Sequence, residues 1–415
     1  MNDRSPRPLR PRSSWLFALA LGVPCAAPAM AASAADELPP AVALGEISVA
    51  STTVAAIESV ITADTILADV THLASDEYYG RFFRSPFAFK AAEWIRVQFA
   101  AAGLAPGNPQ LLGVPREMIE ATLSKESAEG ERLEPTDQQS DEQATDKPAP
   151  AAAPVAISPW FQPLADAEAA PNVIAVLPAR EGSPHADRTI LITAHYDHLP
   201  PKRRGEDRIF NGADDNASGV CGMIAIARAL ASLPQRLPCQ VMFVAFTGEE
   251  AGLRGAKRFV EFPPVPISSI AAMFNLDMIS RGEENLIFCD GRDFSEPIRE
   301  ALRAANAAVG LEIRFDTHPD WLDRSDQGPF LAKGVPAVLF SVEDHEDYHQ
   351  VTDHADRILP GLAMKTSRLV ALATLLVAER EATKVNPKAS QDVSSAGRDN
   401  AASDEAAAQP AEAPK

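Results

Sequence analysis

Cysteine is scarce in this 415-residue chain: there are four, and no two form a CxxC pair. A thiolate metal cluster or a dithiol redox centre is therefore not expected. Cys25 falls in an N-terminal leader. Cys221, Cys239 and Cys289 sit in apolar runs and read as buried small hydrophobes, with one disulfide among them left open. Basic charge is also in short supply. Lys and Arg number 38 against 57 Asp and Glu, a net charge of −19. Nucleic acid and anionic membranes repel such a surface and are excluded as main partners. Long hydrophobic runs are missing too. Trp15 to Val23 is too short to span a bilayer, and no later segment reads as a membrane helix, so no transmembrane segment is expected. There is no internal repeat and no signal for an oligomeric state.

Hydrophobic residues make up 46% of the chain, enough for one large domain or two ordinary ones. Arg4, Arg7, Arg10 and Arg12 precede the apolar run, and small residues follow it in APAMAASAADE. Residues 1–34 thus read as a signal peptide cleaved after Ala31 or Ala34, which places the mature protein in the periplasm or outside the cell. Pro24 argues against lipidation at Cys25. Residues 35–112 carry helical spacing at Ile66–Ala74 and Phe87–Ala102, with Gly103 fitting a C-cap. Arg116 to Lys147 holds ten acids against four bases. Residues 113–156 are read as a disordered, solvated insertion, and the Ala/Pro/Asp/Glu-rich residues 384–415 as a disordered tail.

Between them, residues 157–383 alternate strand and helix patterns. NVIAVLP, RTILITAH, CQVMFVAF, IAAMFNLDMI, NLIFC, LEIRF and VPAVLFS read as strands. Ala217–Leu233, Gly252–Val260, Phe294–Val309, Asp326–Lys333 and Leu362–Glu379 read as helices. Continuous Val/Ile/Leu/Phe strands alternating with helices imply an α/β fold, a mainly parallel sheet covered on both faces. Ligands bind such sheets at the carboxyl ends of strands. There the sequence gathers His195 and Asp197, Glu249 and Glu250, Asp277, and His345, His349 and Asp353, with Asp214 and Asp215 in the loop opening the next helix. Carboxylates crowd in this way when protonated, when paired with arginine, or when neutralised by cations. Arginine is sparse in these stretches. Two histidines with several carboxylates suit Zn²⁺, with Mn²⁺ or Co²⁺ as lesser alternatives. In each doubled acid, one carboxylate can bind metal while its neighbour does something else: a metal-bridging Asp would explain Asp214–Asp215, and a ligand beside a free general base Glu249–Glu250.

TAHYDHLP, NGADDNASG, AFTGEEAGLRGAKRF, NLDMISR, RSDQGPF and DYHQVTDHADRI occur in this order from Asn172 to the last helix. Together they resemble the co-catalytic zinc exopeptidases of the bacterial leucyl aminopeptidase and glutamate carboxypeptidase type, and LASDEYYGR resembles that family's lead-in. The resemblance implies a three-layer αβα fold with a mixed, mainly parallel sheet and two Zn²⁺ per chain. It implies that His195 and Asp277 hold one ion, Glu250 and His349 the other, and Asp215 bridges them. Asp197 would orient His195, and Glu249 would be the general base. The Asp215–Asn216 peptide is often cis in this family. The chain departs from the pattern at Gln327, where His is common, and at Trp321–Leu322, where some relatives carry a tyrosine for the oxyanion. It also lacks the Gly-rich continuation after the lead-in. The implied activity is hydrolysis of peptide substrates by an aminopeptidase. The alternatives are a carboxypeptidase, a glutaminyl-cyclase-like acyltransferase, and a non-catalytic binding protein on the same scaffold.

Other polar residues have plainer readings. His198 and His345 are read as solvated or as lying behind the ligands, and His72, His185, His318 and His354 as surface. Asp214 and Asn216 shape their loop, while Ser325 and Asp326 cap a helix. Tyr78 and Tyr79 pack. Arg281 either meets a substrate carboxylate or pairs with a nearby acid, and Tyr348 is either packing or functional.

Overall fold

The computed structural model describes residues 38–108 and 158–384. The expected leader, the acidic insertion 113–156 and the tail from residue 385 on lie outside these described residues. A hairpin of β1 (Val42–Leu44) and β2 (Ile47–Val49) leads into helices α1 (Ser51–Val60), α2 (Ala63–Leu73) and α3 (Pro86–Ala101). Strands β3 (Ala105–Pro106), β4 (Phe161–Gln162), β5 (Asn172–Leu177) and β6 (Thr189–His195) follow. After them come α4 (Gly219–Ser232), β7 (Gln240–Phe246), α5 (Arg254–Glu261), β8 (Ile270–Leu276) and β9 (Leu286–Gly291). The chain closes with α6 (Glu296–Val309), β10 (Glu312–Phe315), α7 (Gln327–Leu331), β11 (Ala337–Ser341) and α8 (Pro360–Thr383).

The main sheet runs β10-β9-β11-β8-β6-β7-β5-β3, with β4 also pairing β5. Its central strands β11, β8, β6 and β7 are parallel, and β5 and β9 join them antiparallel on either side. The sheet is therefore mixed, as expected. Strand residues alternate between two apolar clusters because successive side chains point to opposite faces. Ile190, Ile192, Val241, Phe243 and Phe274 join α1–α4, α6 and α8 on one side. Leu191, Met242, Val244 and Phe246 meet Phe259 of α5 and Phe330 of α7 on the other. Both faces being covered explains why these strands read as unbroken hydrophobic runs.

Local chemistry sets several helix starts. The Thr62 hydroxyl accepts the Thr65 N–H, and the Ser85 hydroxyl accepts the Ala88 N–H with Pro86 in the first turn. Helix α1 and the β1–β2 hairpin had no counterpart in the sequence reading. Ala50 offers α1 no side-chain cap, and burial of Val54 and Ile57 is what holds it. Helix α8 requires a correction. By length and composition it could cross a membrane, contrary to the expectation that no later segment could. Of that apolar stretch 78% is buried, and the helix packs on α4 and α6, which makes it a core helix here. Among the described residues, Cys221, Cys239 and Cys289 are free and buried.

Candidate metal centre

The parallel strands end together, and the chemistry sits at their carboxyl ends. His195 is the last residue of β6, and Asp277 follows the last residue of β8. Glu249 and Glu250 lie in the turn after β7, and His349 in the loop after β11. Asp214 and Asp215 occupy an irregular wide turn, Ala213–Ser218, that leads into α4, and the Asp215–Asn216 peptide is cis. Glycine is required where that turn joins the helix. A Cβ on Gly219 would lie 2.4 Å from both the Asn216 side chain and the Leu276 carbonyl.

All five residues expected to be ligands converge. His195 Nε2 lies 3.1 Å from Asp277 Oδ1 and 3.4 Å from Asp215 Oδ1. His349 Nε2 lies 3.2 Å from Asp215 Oδ2 and 3.3 Å from Glu250 Oε2. Atoms bound at about 2.0–2.2 Å to one tetrahedral zinc stand roughly 3.3–3.5 Å apart. The four spacings, 3.1–3.4 Å, lie close to such an edge, and one Asp215 oxygen faces each set. Nitrogen and carboxylate donors without cysteine also fit that metal.

Two donor groups come close enough to share an ion: His195–Asp215–Asp277 and His198–Asp215–Glu250. The second includes His198 where the first-named expectation was His349. His198 Nδ1 is only 2.6 Å from Glu250 Oε1, which is hydrogen-bond spacing and too short for two ligands of one ion. By this criterion His349 is the better donor and His198 stands behind Glu250.

Burial pushes the Glu249 carboxyl well above the usual range; nearby His195 opposes this, and Asp277 and Glu250 add to it. Burial works against the Glu250 carboxylate as well, but hydrogen bonds from His198 and His349 win and hold it low. Burial alone would depress the His349 imidazole, yet Asp215 and Glu250 lift it to about 10. His195 is likewise raised, against its burial, chiefly by Asp277 and Glu249. The imidazoles and carboxylates thus hold one another charged, while burial keeps Glu249 apart from that pattern.

A second layer of contacts holds these groups. Asp197 touches His195 through its main-chain oxygen, 3.2 Å from Nδ1, rather than through its carboxylate at 3.9 Å. That carboxylate accepts the Glu249 N–H at 3.1 Å, and burial raises it to about 7. Asp353 accepts the N–H groups of Asp214 and Asp215. Asp214 shapes the loop by accepting from Ser280, with His345 behind it at 3.2 Å. Asn216 binds the Leu276 carbonyl and the Met278 N–H, tying the turn to β8.

Three supports were invisible in the sequence. Arg81 is fully buried and donates to the carbonyls of Leu73, Tyr196, Asn211 and Gly212, clamping the chain just before the Asp214–Asp215 turn. Burial lowers its guanidinium to about 10. Asp347 accepts from Arg281, Thr352 and Arg357 and so pins the His349 loop, which settles Arg281 as an ion-pair partner. The Ser325 hydroxyl donates to Asp277 Oδ2 at 2.6 Å. Ser325 and Asp326 therefore do not cap α7 as expected, and Asp326 is buried with both oxygens unpartnered. The only advance hint of these roles was proximity to a motif.

Other histidine readings also change. His198 is wholly buried, not solvated, and His185 is buried as well. His318 stacks on Trp321 at 3.7 Å and pairs with Asp290. Tyr348 stacks on His349 at 3.9 Å, and both line an open cleft of about 480 Å³ with Trp321, Met278 and Val342.

Residues 172–374 match the family described as Peptidase family M28. A "probable zinc metalloprotease" of Pyrenophora tritici-repentis is 29% identical over 43% of this chain and 48% of its own length. Aminopeptidase YwaD of Bacillus subtilis is 28% identical over 46% of this chain and 42% of its own. The chain thus spans about half or less of these curated relatives. LapA aminopeptidase of Legionella pneumophila shares the fold with a TM-score of 0.53, at 19% identity over 79% of this chain and 75% of that one. The run of strands and helices that carries the candidate metal centre, residues 172–374, is the part of the chain similar to peptidase family M28.

Proposed function

We propose that the protein is an exported aminopeptidase that hydrolyses the N-terminal peptide bond of its substrates with two zinc ions. The observation that carries this is Asp215. Its Oδ1 faces His195 and its Oδ2 faces His349, so one carboxylate serves both donor sets. His195 and Asp277 complete one set, Glu250 and His349 the other. When bound there, zinc polarises a carbonyl and brings the pKa of water down to about 7.

The chain's own residues do the rest. Glu249 lines the cleft beside His195, Asp215 and Asp277 but belongs to neither donor set. It takes the proton from the attacking water and delivers it to the leaving amine. Asp197 holds the Glu249 main chain, so the base and His195 are positioned by one residue. Tyr348 is the one tyrosine lining the cleft and is the phenol placed to donate to the carbonyl oxygen. Trp321, Met278 and Val342 offer an apolar wall to a side chain, and Asp344 adds a carboxylate that suits a terminal ammonium. The names of the similar proteins support the same reading.

Metal analysis of zinc-loaded mature protein should find about two ions per chain. Chelation should abolish hydrolysis of amino-acid anilides, and zinc should restore it. One ion, or none, would refute the bridging role of Asp215. Hydrolysis only from the carboxyl terminus would refute the aminopeptidase reading. N-terminal sequencing of the exported protein should begin after Ala31 or Ala34; retention of the leader in secreted material would refute export by that signal.

A further inference from the structure

His198 follows three residues after His195 and is completely buried. Its Nδ1 is 2.6 Å from Glu250 Oε1, while the other Glu250 oxygen, Oε2, faces His349 Nε2 at 3.3 Å. The two oxygens of one carboxylate are thus divided between two imidazoles. The His198 Nδ1 is 3.6 Å from Asp215 Oδ2, beyond hydrogen-bond distance. The ring is boxed in: Phe210 and His349 meet it edge-on, and a Cβ on Gly212 would come within 2.7 Å of its Cδ2. Nε2 is buried without a hydrogen-bond partner.

These facts choose the tautomer. A proton on Nε2 would bury an unpaired donor, which costs more than a bare acceptor nitrogen in an aromatic setting. The proton therefore sits on Nδ1 and is donated to Glu250 Oε1. A nitrogen that donates a proton cannot also bind metal, and the 2.6 Å spacing excludes a shared ion on its own.

We propose that His198 is a positioning residue for the second metal site: its Nδ1–H holds Glu250 Oε1, so that Glu250 meets the metal with Oε2 alone. The inference rests on the two-ion reading given above. Without His198, Glu250 keeps its His349 contact but loses the hydrogen bond that fixes Oε1. Loss of such an outer hydrogen bond to a ligand typically weakens metal affinity about 10- to 100-fold.

The test measures both zinc-binding steps on metal-free protein by titration against a competing chelator. Wild type, His198→Leu and His198→Asn are compared, and Co²⁺ spectra report each position separately. The Asn amide can donate from near the place of Nδ1, whereas Leu fills the space without a donor. His198→Leu should weaken the second step about 10- to 100-fold and leave the first near wild type. His198→Asn should recover most of that loss. An unchanged second step in His198→Leu overturns the proposal. Equal losses in Leu and Asn overturn it too, because shape rather than the hydrogen bond would then matter. If His198→Leu does not fold, His198→Asn must show near wild-type affinity, and failure there overturns the proposal. A wild-type protein that binds a single ion would instead overturn the two-ion reading itself.

Discussion

The two donor sets of the proposed metal centre are built by different means. His195 and Asp277 leave adjacent parallel strands whose register pairs Thr193 with Asn275, so the ladder itself fixes where both side chains emerge. Their side chains are 1% and 14% exposed. Glu250 and His349 hang from loops. His349 has φ +54 and is 36% exposed, and its position depends on Asp347 gathering Arg281, Thr352 and Arg357 beneath the loop. A strand-end ligand inherits its geometry from the sheet. A loop-borne ligand needs dedicated side chains to hold it, and it is more easily loosened.

Glu249 and Glu250 offer the sharpest way to test that division, because they are neighbours that face different halves. Glu249→Gln should lower kcat by about 10²–10⁴ while both ions stay bound. Glu250→Gln should shed the loop-borne ion. Zinc stoichiometry and turnover on both variants decide the matter, and ion loss in Glu249→Gln would erase the distinction.

The next largest effect is expected at Asp347. Replacing it with alanine frees the His349 loop and should weaken the loop-borne ion about 10- to 100-fold, with the strand-borne ion nearly untouched. Equal weakening of both would break the contrast. On the other half, Ser325→Ala removes the donor to Asp277 Oδ2 and should cost about 10-fold in affinity for the strand-borne ion alone. Chelator competition on each position reads both changes.

The smallest effect concerns acidity in the chelated protein. His349 is raised to about 10 by Asp215 and Glu250, so its ion pairs stabilise the metal-free fold fully below about 6.5, the unfolded value. That contribution is lost as the pH rises through about 10. Thermal unfolding of chelated protein should therefore give a Tm a few degrees lower at pH 10 than at pH 7, and His349→Ala should flatten this dependence. Zinc-loaded protein should not follow the same trend, because metal displaces the His349 proton. A metal-free Tm that rises over the same range would show that these ion pairs are not formed.

Much of the fold was legible because its signals are local. The runs around Ile190, Phe243 and Phe274 are buried on both faces and look like nothing but central strands. Of the five expected ligands, His195, Glu250 and Asp277 stand out because each lies at a strand end or within four residues of one, whereas Asp215 and His349 sit farther along in loops. The supports were not. Arg81 reaches Gly212 across 131 positions, and Asp214 meets His345 across the same span. In a sequence, a buried arginine or histidine is indistinguishable from a solvated one, since burial depends on which distant segments close over it. Helix α1 was missed for a related reason: it has no cap, and only packing of Val54 and Ile57 holds it.

By itself, then, the sequence determined the α/β alternation and the set of imidazoles and carboxylates offered at the strand ends, because apolar periodicity and residue chemistry are properties of short stretches. Only the tertiary structure decided which histidine faces which oxygen. His349 stands about one polyhedron edge from Glu250 Oε2, while His198 stands at hydrogen-bond distance from Oε1. A difference of under 1 Å separates the proposed ligand from its proposed support, and it is set by loops packed together from far apart in the chain.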